Sequence, residues 1–208
     1  MSSNLRYTAM TRSARIGMPL ALAPGLAGTN AAAQMPSAER AVRAEVVVNA
    51  SQSEVWKAWS TDEGAQTFFA PKTHIETRIG GPYEIFFNPA DERMSTKGMK
   101  VLSYIPGEML SFEWCFPTDE FPQLKDARGW VVIQLTAVAA QRTRVRLTHL
   151  GWQQGPEWER AFAHMNRGWA ELTNRLAARF EKGPMNWETQ QMMWKERAGI
   201  GESAQPHN

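Results

Sequence analysis

From Gly155-Pro156 onward the chain places an apolar residue at every third or fourth position: Trp158, Phe162, Met165, Trp169, Leu172, Leu176 and Phe180. This spacing puts all of them on one stripe of an α-helix running to about residue 181. Gly183-Pro184 then ends it, with a permissive residue followed by one that lacks an N–H. A stripe carrying two Trp and two Phe must be covered, so the rest of the chain has to supply a matching apolar face. The fold question reduces to what that face is.

The segments before the helix supply a sheet. Residues 41–50 alternate Val42, Ala44, Val46 and Val48 against Arg43, Glu45, Val47 and Asn49, the period of a half-buried strand. Ser51-Gln52-Ser53-Glu54 is a capping box, which starts a helix with Val55, Trp56 and Trp59 on its apolar side. A second short helix follows from Ser60-Thr61-Asp62-Glu63 to Phe68-Phe69. Strand-like segments then come in quick succession at residues 74–79, 83–87, 97–105, 109–116, 129–138 and 142–150. Gly80-Gly81-Pro82, Pro106-Gly107 and Ala140-Gln141-Arg142 separate them as turns. Short links imply an antiparallel meander. The class is α+β: a curved antiparallel sheet of about seven strands wrapped around a long C-terminal helix, with two short helices after the first strand.

Composition removes several classes of function. The 208 residues are 43% hydrophobic and 21% charged, so the chain can fold and bury a core. One Cys forbids an internal disulfide, and four scattered His residues without ligand spacing give no metal site. No phosphate-binding Gly loop, Gly-x-Ser-x-Gly elbow or His-Glu-x-x-His helix is present, so no cofactor is expected. The net charge is +2, but residues 1–33 hold Arg6, Arg12 and Arg15 and no acid, leaving 20 Lys and Arg against 21 Asp and Glu elsewhere. A nucleic-acid partner loses its electrostatic basis.

The two ends read differently. Residues 16–28 are apolar, follow a basic acid-free stretch and precede Ala31-Ala32-Ala33, the order of a secretory signal peptide. Residues 1–33 are therefore expected to be a leader and 34–40 a linker, the product being periplasmic or secreted, and otherwise cytoplasmic. The segment falls short of the roughly 18 residues that span a bilayer, so stable membrane insertion of the mature chain is not expected. Residues 41–182 form the domain. In the tail, 183–208, Trp187, Gln190, Gln191 and Trp194 have helical spacing, compatible with a short helix laid on the body.

Local phrases carry a family resemblance. NASQSEVWKAWST resembles the strand-to-helix entry of the SRPBCC (START-like, helix-grip) superfamily, in the branch named for the activator of Hsp90 ATPase. GGPYEIFF resembles its double-Gly strand, VLSYIPGEMLSFEW its turn between middle strands, and TRVRLTHLGW with NRGWAELTNRL its last strand and final helix. The resemblance covers residues 41–182 in order. Phe68-Phe69 departs from it, standing where relatives often carry a Trp pair, as does the longer acidic loop at 117–128.

A sheet bent around one helix does not close at both ends, so a cavity between them is expected, and the resemblance implies the same. Alternation points Tyr83, Ile85, Phe87, Leu110, Phe112, Trp114, Val131, Ile133, Leu147 and His149 inward, with Met165 and Trp169 facing them and Phe68 and Phe69 at the mouth. These are the candidate ligand-binding residues; for the aliphatic ones and Phe, plain core is the competing role. His149 and Tyr83 are informative because an inward polar group needs a hydrogen bond, from the protein or from a ligand. The expected function is an exported protein holding a small hydrophobic or amphipathic molecule. Two alternatives stand beside it: a cyclase or dehydratase using a polar cavity residue such as His149, and a co-chaperone-like interaction module. An enzyme is the weaker expectation, since no second titratable group stands beside His149 by local spacing.

Overall fold

The computed structural model describes residues 39–190. Residues 1–33, most of the linker and the end of the tail, with Gln191 and Trp194, lie outside the described residues. Strand β1 (Val42–Val48) leads into α1 (Gln52–Ser60) and α2 (Asp62–Ala65). Then come β2 (Lys72–Ile75), β3 (Tyr83–Phe86), β4 (Val101–Ile105), β5 (Met109–Trp114), β6 (Gly129–Ala139), β7 (Arg142–Leu150) and the long α3 (Pro156–Lys182).

Helix α1 begins as the capping box requires. Ser51 N donates to the Glu54 carboxylate at 2.9 Å and Glu54 N donates back to the Ser51 hydroxyl at 3.4 Å. Gln52 then ties α1 to the sheet, donating to Gly107 O at 2.8 Å and accepting from Ala137 N at 3.1 Å. The turn into α2 is capped by Thr61, and α2 folds so closely on α1 that a Cβ at Gly64 would stand 2.1 Å from Lys57 O. Only a residue without a side chain fits there.

Five strands form an antiparallel sheet in the order β1-β7-β6-β5-β4. Its register builds layers across the buried face: Phe112, Val131, His149 and Val42 lie in one row, Leu110, Ile133, Leu147 and Ala44 in the next. The expected single sheet of about seven strands divides instead into five and two, β2 and β3 forming a separate ribbon. Pro82 lacks an N–H and residues 87–99 form a loop, so in place of a continuous β3–β4 ladder there are isolated bridges, Pro82↔Lys100 and Phe86↔Ser95. Tyr83 N to Met99 O and Val101 N to Gly81 O, both 2.8 Å, hang the ribbon on that edge. Strand β2 stops earlier than alternation predicts, because Arg78 N turns back to Glu76 O at 2.7 Å and Thr77 donates its hydroxyl to Ser60 O. Helix α3 meets the apolar face of the sheet, with Trp169 against Trp114 of β5 at 4.6 Å between ring centroids.

Candidate functional site

The site begins with a helix residue that lacks a side chain. Gly168 interrupts α3 between Met165, Trp169 and Leu172, where a glycine costs the helix about 0.5–1 kcal/mol relative to alanine. A Cβ built there has nothing within 4 Å. Gly168 is exposed and lies on the rim of a partly open cavity of about 250 Å³. Met165, Trp169 and Leu172 of α3, Phe69 after α2, Phe87 after β3 and Trp114 on β5 make its apolar wall. Residues 93–96 from the β3–β4 loop and Cys115, Pro117, Asp119 and Glu120 beyond β5 complete it, with His164 and Arg175 at either end of the helix segment. Phe69 organises the floor, stacking on Trp114 at 6.0 Å and meeting Trp169 edge-on at 6.2 Å.

Charge is arranged unevenly around this wall. Arg93 is in a 2.7 Å ion pair with Asp91, and His164 stands 2.9 Å from the Glu120 carboxylate. Arg175 differs: its Nε is enclosed without a hydrogen-bond partner among the described residues, and Glu171 is 3.9 Å away. Burial holds its guanidinium below the ordinary arginine value, partly offset by Glu171. The Trp114 indole N–H also lacks an acceptor among the described residues. Burial pushes the Cys115 thiol up, which keeps it protonated at neutral pH.

His149 stands one layer behind the wall. Its Nδ1 accepts the Trp169 indole N–H at 3.0 Å, and since indole nitrogen only donates, the imidazole proton sits on Nε2. The ring lies among Phe116, Trp152 and Trp169, is 0% exposed, and its pKa is lowered to about 3 by burial. Gly129 makes room for it, since a Cβ there would meet Nε2 at 2.6 Å. This histidine is neutral and anchors Trp169. The His149 Nε2–H has no acceptor among the described residues, whereas Tyr83 donates its hydroxyl to Trp59 O at 2.9 Å while stacking on Phe112.

Of the candidate ligand-binding residues, Phe69, Phe87, Trp114, Met165 and Trp169 come together at the cavity. Phe68, Tyr83, Ile85, Leu110, Phe112, Val131, Ile133, Leu147 and His149 are buried in the packed interior behind it. Inward direction and cavity wall are different properties, because only the open end of the sheet–helix sandwich leaves room. The sequence reading missed Gly168 and Arg175, although both carried a signal. Gly168, Leu172 and Arg175 follow helical spacing beside the stripe, where a glycine and an arginine break the apolar pattern. The wall from residues 93–96 and 117–120 had none, since loop residues carry no periodicity.

Among the described residues no helix is long and apolar enough to cross a membrane, and no group of three or more His, Cys, Asp or Glu could hold a metal ion. Solved structures share the fold. A protein from Mesorhizobium loti superposes with a TM-score of 0.57 at 19% identity, over 70% of this chain and 100% of that one. The solution structure of the Aha1 dimer from Colwellia psychrerythraea gives 0.52 at 21%, over 69% of this chain and 98% of that one. An HSP90 activator from Plasmodium falciparum gives 0.50 at 10%, over 70% and 97%. No curated protein matches. The family model described as activator of Hsp90 ATPase homolog 1-like protein matches residues 49–181. With the element order, the antiparallel sheet and the long final helix of the helix-grip architecture in place, the chain belongs to the activator of Hsp90 ATPase homolog 1-like family within the SRPBCC superfamily.

Proposed function

We propose that this protein binds a small hydrophobic or amphipathic molecule in the cavity between Trp114 and α3. The observation that carries the reading is the apolar wall itself, about 250 Å³ of partly open space walled by Phe69, Phe87, Trp114, Met165, Trp169 and Leu172, with Gly168 on its rim. An apolar cavity of roughly 150 Å³ already admits benzene in a well-studied protein, so the room here suits a one- or two-ring guest. Native mass spectrometry of gently purified full chain tests it. The expected result is a co-purifying small molecule in the wild type that is lost in Gly168→Leu, whose side chain projects into the space. A wild type that is empty and takes up no apolar probe removes the reading.

His149 does not favour the cyclase or dehydratase alternative, since its ring is enclosed and its Nδ1 is engaged by Trp169. The co-chaperone reading has its own support in the family's description and in the HSP90 activator of similar fold. Stimulation of a purified Hsp90 ATPase by the full chain decides it, and a flat response rejects it. We propose further that residues 1–33 direct export; sequencing the N-terminus of protein from the host should then start near Gln34, and a retained leader refutes the proposal.

A further inference from the structure

We propose that the molecule this cavity takes is an acid, a small apolar body bearing one carboxylate that the Arg175 guanidinium receives. The inference rests on the carrier reading and names its ligand class. Arginine has five N–H donors in a rigid fork that fits a carboxylate edge to edge. At Arg175 that fork is largely unspent. Nη1 makes one long contact to Phe69 O at 3.5 Å, Nε has no acceptor among the described residues, and the Glu171 carboxylate at 3.9 Å is beyond hydrogen-bond reach. Its Nε is enclosed, and the side chain as a whole is 20% exposed, on the wall that also holds Leu172 and Phe69. A cation in that position is under-solvated, and an arriving anion restores what burial removed.

The other arginine on the wall does not compete. Arg93 is paired with Asp91, and the His164 imidazole lies against the Glu120 carboxylate. Arg175 lies eleven residues along α3 from His164, about 16 Å at helical rise. The His164–Glu120 pair and Arg175 therefore stand at opposite ends of the α3 wall, with aromatic rings between them. A carboxylate received by Arg175 sets the guest's orientation, its rings against Trp114 and Trp169.

The test uses the full chain and a matched probe pair, 1-naphthoate and 1-naphthamide, which differ in charge but scarcely in shape. Binding is read from tryptophan fluorescence and from protection of Cys115, the one cysteine of the sequence and a wall residue, against a thiol reagent. The expected result is at least tenfold tighter binding of the naphthoate, with the preference abolished in Arg175→Met and amide affinity unchanged. Glu171→Gln, a change on the exposed rim that removes the weak competitor, should tighten naphthoate a few-fold and leave naphthamide alone. Equal affinity of the two probes for the wild type overturns the acid assignment while the carrier reading stands. Failure of both probes to bind or to protect Cys115 overturns the two together. An acid preference that survives in folded Arg175→Met removes Arg175 from the role; should that variant not fold, an unchanged naphthoate affinity in Glu171→Gln overturns it instead.

Discussion

Trp169 joins the packed interior to the open cavity, and its orientation depends on His149. Burying the acceptor ring costs the protein a protonation event. Unfolded, His149 takes up a proton near pH 6.5; folded, it resists until about pH 3. The unfolded state thus binds more protons across that window, so stability rises with pH through it and is lost as pH falls. The full span corresponds to ~5 kcal/mol. His149→Gln keeps an acceptor for the indole and removes the titration. Denaturant unfolding between pH 4 and 6 should show the wild-type slope reduced by about 1.4 kcal/mol per pH unit in that variant, and an unchanged slope would show that other groups carry the acid sensitivity. Gly168 tests the opposite exchange, stability given up for space. Gly168→Ala has room for its methyl group, and thermal unfolding should register a gain of about 0.5–1 kcal/mol. A loss would mean that the helix relies on that gap.

At the level of elements, the two short helices are held by different means. The start of α1 depends on hydrogen bonds that water partly replaces, so Ser51→Ala should cost about 1 kcal/mol in urea unfolding. The α1–α2 contact is backbone against backbone, and a methyl group at Gly64 has nowhere to go. Gly64→Ala should therefore cost more than Ser51→Ala, on the order of 3 kcal/mol. The reverse ranking would put the capping box, not the close approach, in charge of the entry to the fold. Both features serve the cavity, because Phe69 follows directly on α2 and Thr67 O accepts from Met185 N at 2.9 Å in the tail. Trp187 continues that contact, donating to Gln66 O at 2.6 Å.

For the molecule as a whole, binding and folding are linked. A ligand at one hundred times its Kd adds about 2.7 kcal/mol of stability, which for a chain of this size is a rise of roughly 5–10 °C in Tm. Differential scanning calorimetry with saturating 1-naphthoate should show that rise in the wild type and none in Gly168→Leu. A rise in both would place the probe elsewhere on the molecule.

The element order, the capping box, the inward faces of β5 and β7 and the stripe of α3 were legible in the sequence, because each rests on a periodicity of two or 3.6 residues or on a local hydrogen bond. Division of the sheet was less so: whether β3 continues onto β4 depends on how residues 87–99 are placed, and no local pattern reports that. Sequence alone determined which residues leave water. Tertiary structure decided which of them meet solid packing, as His149 and Tyr83 do, and which border a void, as Trp114 and Trp169 do. The reason is that a void is a property of the distance between two surfaces, set jointly by residues far apart in the chain, whereas burial of a side chain follows from the face it occupies on its own element.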